Sequence, residues 1–318
     1  MNKSKIADAD GVGRKDVYSK VTERIISDLE QGIRPWMKPW SAEHAAGRIT
    51  RPLRHNGTPY RGMNILLLWG EAMDKGYAAP IWMTFKQALE LDAHVRKGEH
   101  GSLVVYANSI TKTETNDKGE EDGESRTLSA CEHEIPFMKG YTVFNVEQVD
   151  GLPAPYYTQA VDPMPLSERI DNTDRFIANT AAIIHHGGNR AFYTPARDAI
   201  QMPPFEAFKD KESYYATALH ELTHWTKPKS RLDRDFSAKR FGDSGYAREE
   251  LVAELGAAFL CAELGITPEV REDHADYLGH WLTVLKEDKR AIFSAAAHAQ
   301  RAADYLGSLQ PKQDSVAA

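Results

Sequence analysis

Residues 218–228 read ALHELTHWTKP, which sets two histidines four positions apart with a glutamate beside the first. Positions i and i+4 lie on one face of an α-helix, so His220 and His224 can both point at a single ion. Neutral imidazole nitrogens suit Zn²⁺, and Glu221 is placed to take a proton from a water molecule there. Because chance gives this pattern roughly 0.04 times in such a chain, the stretch predicts a metal site with a general base.

The helix that carries this motif is predicted over 213–226, with Ser213 as N-cap and Pro228 as the stop. A hydrolytic zinc site takes three protein ligands and keeps one position open. A third histidine of the metzincin type is absent, because Lys227 and Ser230 stand where its glycine and histidine would fall. The third ligand must therefore come from elsewhere in the chain.

A second helix, predicted over 246–264, carries Glu249, Glu250 and Glu254, of which the last two share a face. The pattern resembles the gluzincins, whose second helix bears a ligand glutamate and, four residues later, an acid that hydrogen-bonds a ligand histidine. The resemblance implies Glu250 as the third ligand and Glu254 as the partner that orients an imidazole, with Glu254 as the alternative ligand. Tyr246, just before these acids, is a candidate oxyanion stabiliser.

Composition limits the class of protein. A chain of 318 residues exceeds one typical core, so two domains are expected. The net charge of −7 argues against coating nucleic acid through bulk charge, although it leaves room for a local basic patch. Only Cys131 and Cys261 are present, which excludes a disulfide framework and a cysteine-rich zinc module. No secretory or membrane-spanning segment is predicted, so we expect a cytoplasmic protein without a membrane partner.

The predicted architecture is α+β, with a mixed first domain and a mainly helical second one. Composition shifts at a proline-rich stretch, which divides the chain into a flexible tail (1–15), a first domain (16–150), a linker (151–166) and a second domain (167–318). Two strands, at 101–115 and 136–149, flank an acidic segment, 114–124, that is predicted as a solvated hairpin tip. A helix over 172–186, closed by Gly187 and Gly188, and two short strands are expected before the metal helix.

The front half carries basic and aromatic residues together. Between Gln31 and Asn64 the sequence holds six Arg or Lys side chains against one acid, Glu43, with Trp36, Trp40 and Tyr60 among them. Aromatic faces for base stacking beside cations for phosphates suit sequence-tolerant binding of single-stranded DNA. An aromatic core with snorkelling cations would give a similar pattern, so composition alone leaves both interpretations open.

Longer motifs identify a family. PWMKPW, NGTPYRGMNILLL and PIWMTFKQALELDAHVRKGEHG resemble the N-terminal domain of ArdC-type antirestriction proteins and of related plasmid primase-associated proteins. HELTHW, EELVAELGAAF and the C-terminal helical stretch resemble the zincin-like domain that accompanies it. The resemblance covers nearly the whole chain and implies a single-stranded DNA-binding domain fused to a metallopeptidase-like domain. We expect DNA contacts among Trp36, Trp40, Arg54, Arg61, Asn64, Trp82, Lys86, Gln87, Arg96 and Lys97.

The resemblance also implies that the protein protects incoming conjugative-plasmid DNA from host restriction. In the enzyme hypothesis, the second domain uses Zn²⁺, or another divalent ion such as Mn²⁺, to cleave a DNA-bound protein such as a restriction enzyme. In the binding hypothesis, protection comes from occupying DNA or the restriction enzyme, and the metal is structural. A third reading is an accessory factor of a plasmid primase. Glu221 favours the enzyme, because a structural site has no need of a base.

Overall fold

The structure is a computed structural model that describes residues 17–37, 50–115, 130–157, 164–237, 244–267 and 274–311, and at 107–115, 130–137 and 274–276 the backbone alone is considered. The predicted tail, Trp40 and most of the acidic segment 114–124 lie outside the described residues. Within the described part, no helix has both the length and the apolar content needed to cross a bilayer. The observed mixture of helices and small sheets confirms the predicted α+β class.

The first half combines three helices with two small sheets. Its elements are α1 (Val17–Glu30), β1 (Leu53–Arg54), α2 (Met63–Lys75), β2 (Ile81–Met83), α3 (Phe85–Glu90), β3 (His94–Val95), β4 (Ser102–Thr115), β5 (Ala130–Asn145) and β6 (Val149–Asp150). One sheet has the order β1-β2-β5-β4, and β3 pairs with β6. Helix α3 begins at a capping box, in which the Thr84 side chain accepts from the Gln87 backbone N–H and the Gln87 side chain accepts from the Thr84 N–H.

The second half is mainly helical. Its elements are α4 (Leu166–Asn179), β7 (Ile183–His186), β8 (Phe192–Thr194), β9 (Ala199–Met202), α5 (Lys211–Trp225), α6 (Ser244–Leu264), α7 (His274–Glu287) and α8 (Ala291–Ser308). The three short strands form one sheet in the order β7-β9-β8, so β8 lies at its edge beside α5. Among the described residues, this arrangement places an edge strand next to the predicted metal helix.

The predicted helix over 172–186 is wrong in its second part. The helix α4 ends at Asn179, and Ala181 takes a positive φ of 55° that breaks the helical run. Ile183 and Ile184 then enter β7, which pairs in parallel with β9. Their branched side chains suit a strand. Pairing with β9 favours the strand over the helix, and β9 lies too far along the chain for local periodicity to reveal this pairing. His185 and His186 are therefore strand residues and not a helix terminus.

The largest of three hydrophobic clusters among the described residues spans both halves of the chain. From the first half it includes Ile25 of α1, Trp36 in the segment after α1 and Leu66 of α2. From the second half it includes Leu219 of α5 and Phe259 of α6. Trp69 packs on Phe259 with ring centroids 6.1 Å apart. The linker predicted at 151–166 therefore joins two parts of the chain whose buried side chains pack against each other.

Helices α5 and α6 approach closely at Gly256. A Cβ at this position would lie 2.6 Å from Thr223 Cγ2 and 2.8 Å from its Oγ1, so only glycine permits the observed spacing. The contact sets the distance between the two helices that carry the predicted ligands.

Gly256→Ala is therefore expected to destabilise the protein by about 1–3 kcal/mol through overpacking. Urea unfolding of the purified chain measures the effect. Gly279→Ala is the matched control, because Gly279 is an exposed position of α7 with nothing within 4 Å of an added Cβ, and there alanine should stabilise the helix by about 0.5–1 kcal/mol. Equal midpoints for the two variants would show that α5 and α6 are not in contact at Gly256.

Candidate metal centre

Helix α5, which carries His220 and His224, begins at Lys211, before the start predicted at residue 213. Asp210, and not Ser213, is the N-cap of α5: its carboxylate accepts hydrogen bonds from the Ser213 backbone N–H at 2.8 Å and from the Ser213 hydroxyl at 2.7 Å. The helix ends at Trp225, before Pro228. His220 and His224 lie one turn apart near its C-terminus, with ring centroids 4.9 Å apart and ring planes 76° apart.

Helix α6 brings a carboxylate between the two imidazoles. Glu250 Oε2 lies 3.5 Å from His220 Nε2, and its Oε1 lies 3.5 Å from His224 Nε2. One ligand atom from each of these three side chains falls within 4.8 Å of the other two. Two imidazole nitrogens and a carboxylate oxygen are a donor set that holds Zn²⁺ or Mn²⁺, so this trio fits a divalent ion.

The outward-facing ring nitrogens also meet carboxylates. Glu249 Oε1 lies 3.1 Å from His224 Nδ1, and Glu254 Oε2 lies 3.7 Å from His220 Nδ1. The Glu249 contact is a hydrogen bond that holds the proton on Nδ1 of His224 and leaves its Nε2 lone pair for a metal, whereas Glu254 faces Nδ1 of His220 beyond hydrogen-bond distance. Of the two predicted alternatives, Glu250 thus faces both Nε2 atoms, and Glu254 has the place of the orienting partner.

Glu249 is held in turn by a buried arginine. Arg234, whose side chain has no exposed surface, donates from Nε to Glu249 Oε2 at 2.9 Å and from Nη2 to Glu249 Oε1 at 2.8 Å. Its remaining donors reach Thr226 Oγ1 and the Thr223 carbonyl. Sequence reasoning missed Arg234 and gave Glu249 no role, because Arg234 lies in the loop after α5 and outside any motif.

Burial and charge oppose each other in this cluster. Burial disfavours a charged Glu249, yet Arg234 and His224 lower the pKa of Glu249 to about 2. Burial likewise disfavours a charged imidazole, but Glu250 and Glu249 raise the pKa of His224 to about 10. The carboxylates therefore create a site that strongly favours positive charge, which a divalent ion would supply.

Glu221 and the three metal-ligand candidates border one cleft of about 1110 Å³, which the edge strand β8 also lines. Tyr246 and Tyr277 stand at the same cleft with their hydroxyl oxygens 3.1 Å apart. Burial raises the pKa of Tyr246 above its usual range, so the phenol keeps its proton and can donate a hydrogen bond. A peptide-sized space therefore lies directly over the candidate ligands.

Two of the predicted DNA-stacking residues are buried. Trp36 has no exposed surface and Trp82 is 1% exposed, with the Trp82 ring packed edge-on against Tyr77 at 5.7 Å. Neither ring presents a face to solvent, so a base cannot stack on either ring where the side chain now lies. Both rings belong to hydrophobic clusters of the fold, as the alternative interpretation of an aromatic core expects.

Two predicted polar contacts have structural roles. The Asn64 side chain donates to the Val105 carbonyl at 2.8 Å and accepts from the Val105 N–H at 2.7 Å, which ties α2 to β4. Gln87 completes the capping box of α3. These hydrogen bonds already engage both side chains within the fold.

The predicted cations lie on the surface. Arg61 pairs with Asp304, Lys86 with Glu90, and Arg96 with Glu99 and Asp150, and the Arg54 guanidinium lies over the Tyr60 ring at 5.4 Å. Lys97 is exposed, and the described residues provide no ion pair for it. Sequence reasoning did not single out Tyr106 and Tyr141, which are 50% and 48% exposed on adjacent strands with ring centroids 6.4 Å apart.

Comparisons with known proteins match both halves of the chain. Residues 15–144 match the N-terminal domain of anti-restriction factor ArdC, and residues 171–298 match a zincin-like metallopeptidase domain. The uncharacterized protein y4eC of Sinorhizobium fredii is 43% identical over 93% of this chain and 92% of its own length. Two Escherichia coli DNA primases named TraC are 39% and 38% identical over 94% of this chain, which spans only 28% and 20% of their lengths.

Solved structures agree with these matches. The metal-free crystal structure of antirestriction protein ArdC from plasmid R388 superposes with a TM-score of 0.75 and 44% identity, over 92% of this chain and 97% of that one. The Mn(II)-bound structure of the same protein gives a TM-score of 0.73 and 43% identity over 92% and 98%. The ArdC structure and protein y4eC each align with nearly all of this chain and over nearly all of their own length. This protein therefore belongs to the ArdC family of antirestriction proteins.

Proposed function

We propose that this protein binds single-stranded DNA through its N-terminal half, protects incoming plasmid DNA from restriction, and carries a metal-dependent peptidase site in its C-terminal half. The observation that supports the peptidase site most strongly is that His220, His224, Glu250 and Glu221 border one cleft. Family membership supports the antirestriction role. The expected cytoplasmic location belongs to this proposal, because restriction enzymes meet incoming DNA there.

In this proposal His220, His224 and Glu250 hold a divalent ion, Zn²⁺ or Mn²⁺. Such an ion would act as a Lewis acid on a scissile carbonyl and make water more acidic. Glu221 takes the proton from the attacking water and transfers it to the leaving amine. The Tyr246 hydroxyl donates a hydrogen bond into the cleft, and the edge strand β8 offers backbone groups to an extended peptide. Structural zinc sites are closed by four protein ligands, whereas this trio faces an open cleft, which favours chemistry over a purely structural metal.

The antirestriction role is tested by conjugation. A plasmid that carries unmodified restriction sites is transferred with and without the gene for this chain into a restricting recipient and into an isogenic recipient without the restriction enzyme. The gene should raise transfer into the restricting recipient and leave transfer into the other unchanged. An equal effect in both recipients would contradict a role in restriction.

The half-exposed pair Tyr106 and Tyr141 is a candidate platform for base stacking. Tyr141→Ala is expected to weaken single-stranded DNA binding by about 1–3 kcal/mol, the usual value of one base–aromatic stack. Phe85→Ala is the matched control, because Phe85 is 52% exposed on α3. Fluorescence anisotropy with a labelled oligonucleotide at fixed salt measures both. Equal losses of DNA affinity in the two variants would show that Tyr141 does not stack on a base.

The similarity to part of the TraC primases favours a second candidate, an accessory role in plasmid primer synthesis. The purified chain would then stimulate primer synthesis by a plasmid primase on a single-stranded template. Unchanged primer yield over a range of chain concentrations would dismiss this candidate and leave antirestriction in place.

A further inference from the structure

The segment after α1 reaches the metal centre from the N-terminal half of the chain. Trp36 Nε1 donates to Glu254 Oε1 at 3.4 Å, and Arg34 Nη1 lies 4.0 Å from the same oxygen. The second oxygen of Glu254 is the one that faces His220 Nδ1 at 3.7 Å. Two residues from the DNA-binding half thus contact the carboxylate that orients a candidate metal ligand.

Both contacts are buried and fixed in place. Trp36 has no exposed surface and Glu254 is 3% exposed, so the carboxylate depends on protein partners for its stability. The Trp36 ring packs edge-on against Trp281 with centroids 6.2 Å apart, and the Arg34 guanidinium lies over the same Trp281 ring at 5.9 Å. This packing restricts where the indole N–H and the guanidinium can point.

We propose that Trp36 and Arg34 are positioning residues of the metal centre. They hold Glu254 so that one oxygen accepts from the N-terminal half while the other faces Nδ1 of His220. The Nε2 of His220 then faces Glu250, where it would be available to hold the ion. The proposal rests on the proposed divalent metal at His220, His224 and Glu250, and it assigns part of that site to the region that matches the N-terminal domain of ArdC.

A positioning role for Trp36 and a base-stacking role predict opposite effects of Trp36→Phe on metal affinity and on DNA affinity. If Trp36 stacked on DNA, Trp36→Phe would weaken DNA binding and leave the metal site unchanged. If Trp36 positions Glu254, the same substitution weakens metal binding and leaves the affinity for single-stranded DNA within about twofold, because the ring is not exposed to a base.

The test compares Trp36→Phe with Trp69→Phe in the full chain. Trp69 is a matched control because it is equally buried, loses the same volume, and donates its Nε1 to a backbone carbonyl, Thr50 O, at 2.8 Å without contacting Glu254. Mn²⁺ affinity is measured by calorimetric competition with a chelator. Trp36→Phe should weaken it about tenfold, whereas Trp69→Phe should keep it within about twofold.

Two further measurements separate positioning from a general loss of stability. In the double variant Trp36→Phe/Glu254→Gln, Mn²⁺ affinity should be no lower than in Glu254→Gln alone, because Trp36 acts through that carboxylate. In the Zn²⁺-loaded chain, the ring-nitrogen NMR signals of His220 should change in Trp36→Phe and not in Trp69→Phe. Arg34→Met provides an independent variant with the same expected direction if Trp36→Phe fails to fold.

The proposal is overturned if the two tryptophan variants lose Mn²⁺ affinity equally, if Trp36→Phe binds Mn²⁺ like wild type, or if losses in the double variant simply add. A wild-type chain that binds neither Mn²⁺ nor Zn²⁺ would instead refute the proposed metal site itself. The two failures are therefore distinguishable.

Discussion

Glu221→Gln is expected to reduce peptide-bond cleavage by about 10²–10⁴-fold, the usual contribution of a general base. Glutamine keeps the shape of the side chain but cannot accept the proton of the attacking water. Divalent metal binding should stay within about twofold of wild type, because Glu221 is not among the three side chains whose ligand atoms converge. Cleavage is measured on proteins recovered from a restricting recipient during conjugation, with metal content determined in parallel.

The same variant separates the enzyme from the binding hypothesis. If Glu221→Gln loses protection of unmodified plasmid DNA while it keeps its metal and its affinity for single-stranded DNA, protection requires proteolysis. If protection is unchanged, the enzyme hypothesis fails and the protein acts by occupying DNA or the restriction enzyme. Glu206→Gln is the control, because Glu206 is exposed in the turn before α5 and has no place in the candidate site.

Arg234→Met should destabilise the metal-free protein by about 3–5 kcal/mol, the cost of leaving a buried carboxylate without its arginine. The substitution removes both hydrogen bonds to Glu249 and keeps an unbranched apolar side chain of similar length. Metal affinity should fall as well, because Glu249 would no longer be held at Nδ1 of His224. Urea unfolding and metal titration measure the two effects.

A control and a double variant sharpen this test. Arg231 lies in the same loop with a side chain that is 8% exposed, but its partner Asp198 is 53% exposed and can be hydrated, so Arg231→Met should cost less. Arg234→Met/Glu249→Met removes both buried charges and should recover part of the stability without recovering metal affinity. Recovery of both properties together would show that Glu249 does not orient His224.

The sequence patterns that placed the two motifs on helices involve residues close together in the chain. The i, i+4 spacing of His220 and His224 and that of Glu250 and Glu254 each depend on the geometry of a single helix. That geometry is local, so the residue pattern suffices to predict it. The same patterns, taken together in order, also identified the family that the comparisons confirmed.

Tertiary packing decided the contacts between residues that lie far apart in the sequence. The Glu249–His224 and Trp36–Glu254 contacts join residues 25 and 218 positions apart, and nothing local distinguishes a tryptophan that stacks on DNA from one that fills a core. Whether residues 183–186 form a helix or a strand likewise depended on pairing with β9. The sequence by itself thus determined the motif helix, the fold class and the family. Only the packing of α5, α6 and the N-terminal segment decided which side chains meet around the candidate metal centre, because burial and pairing between distant segments are properties of the whole fold.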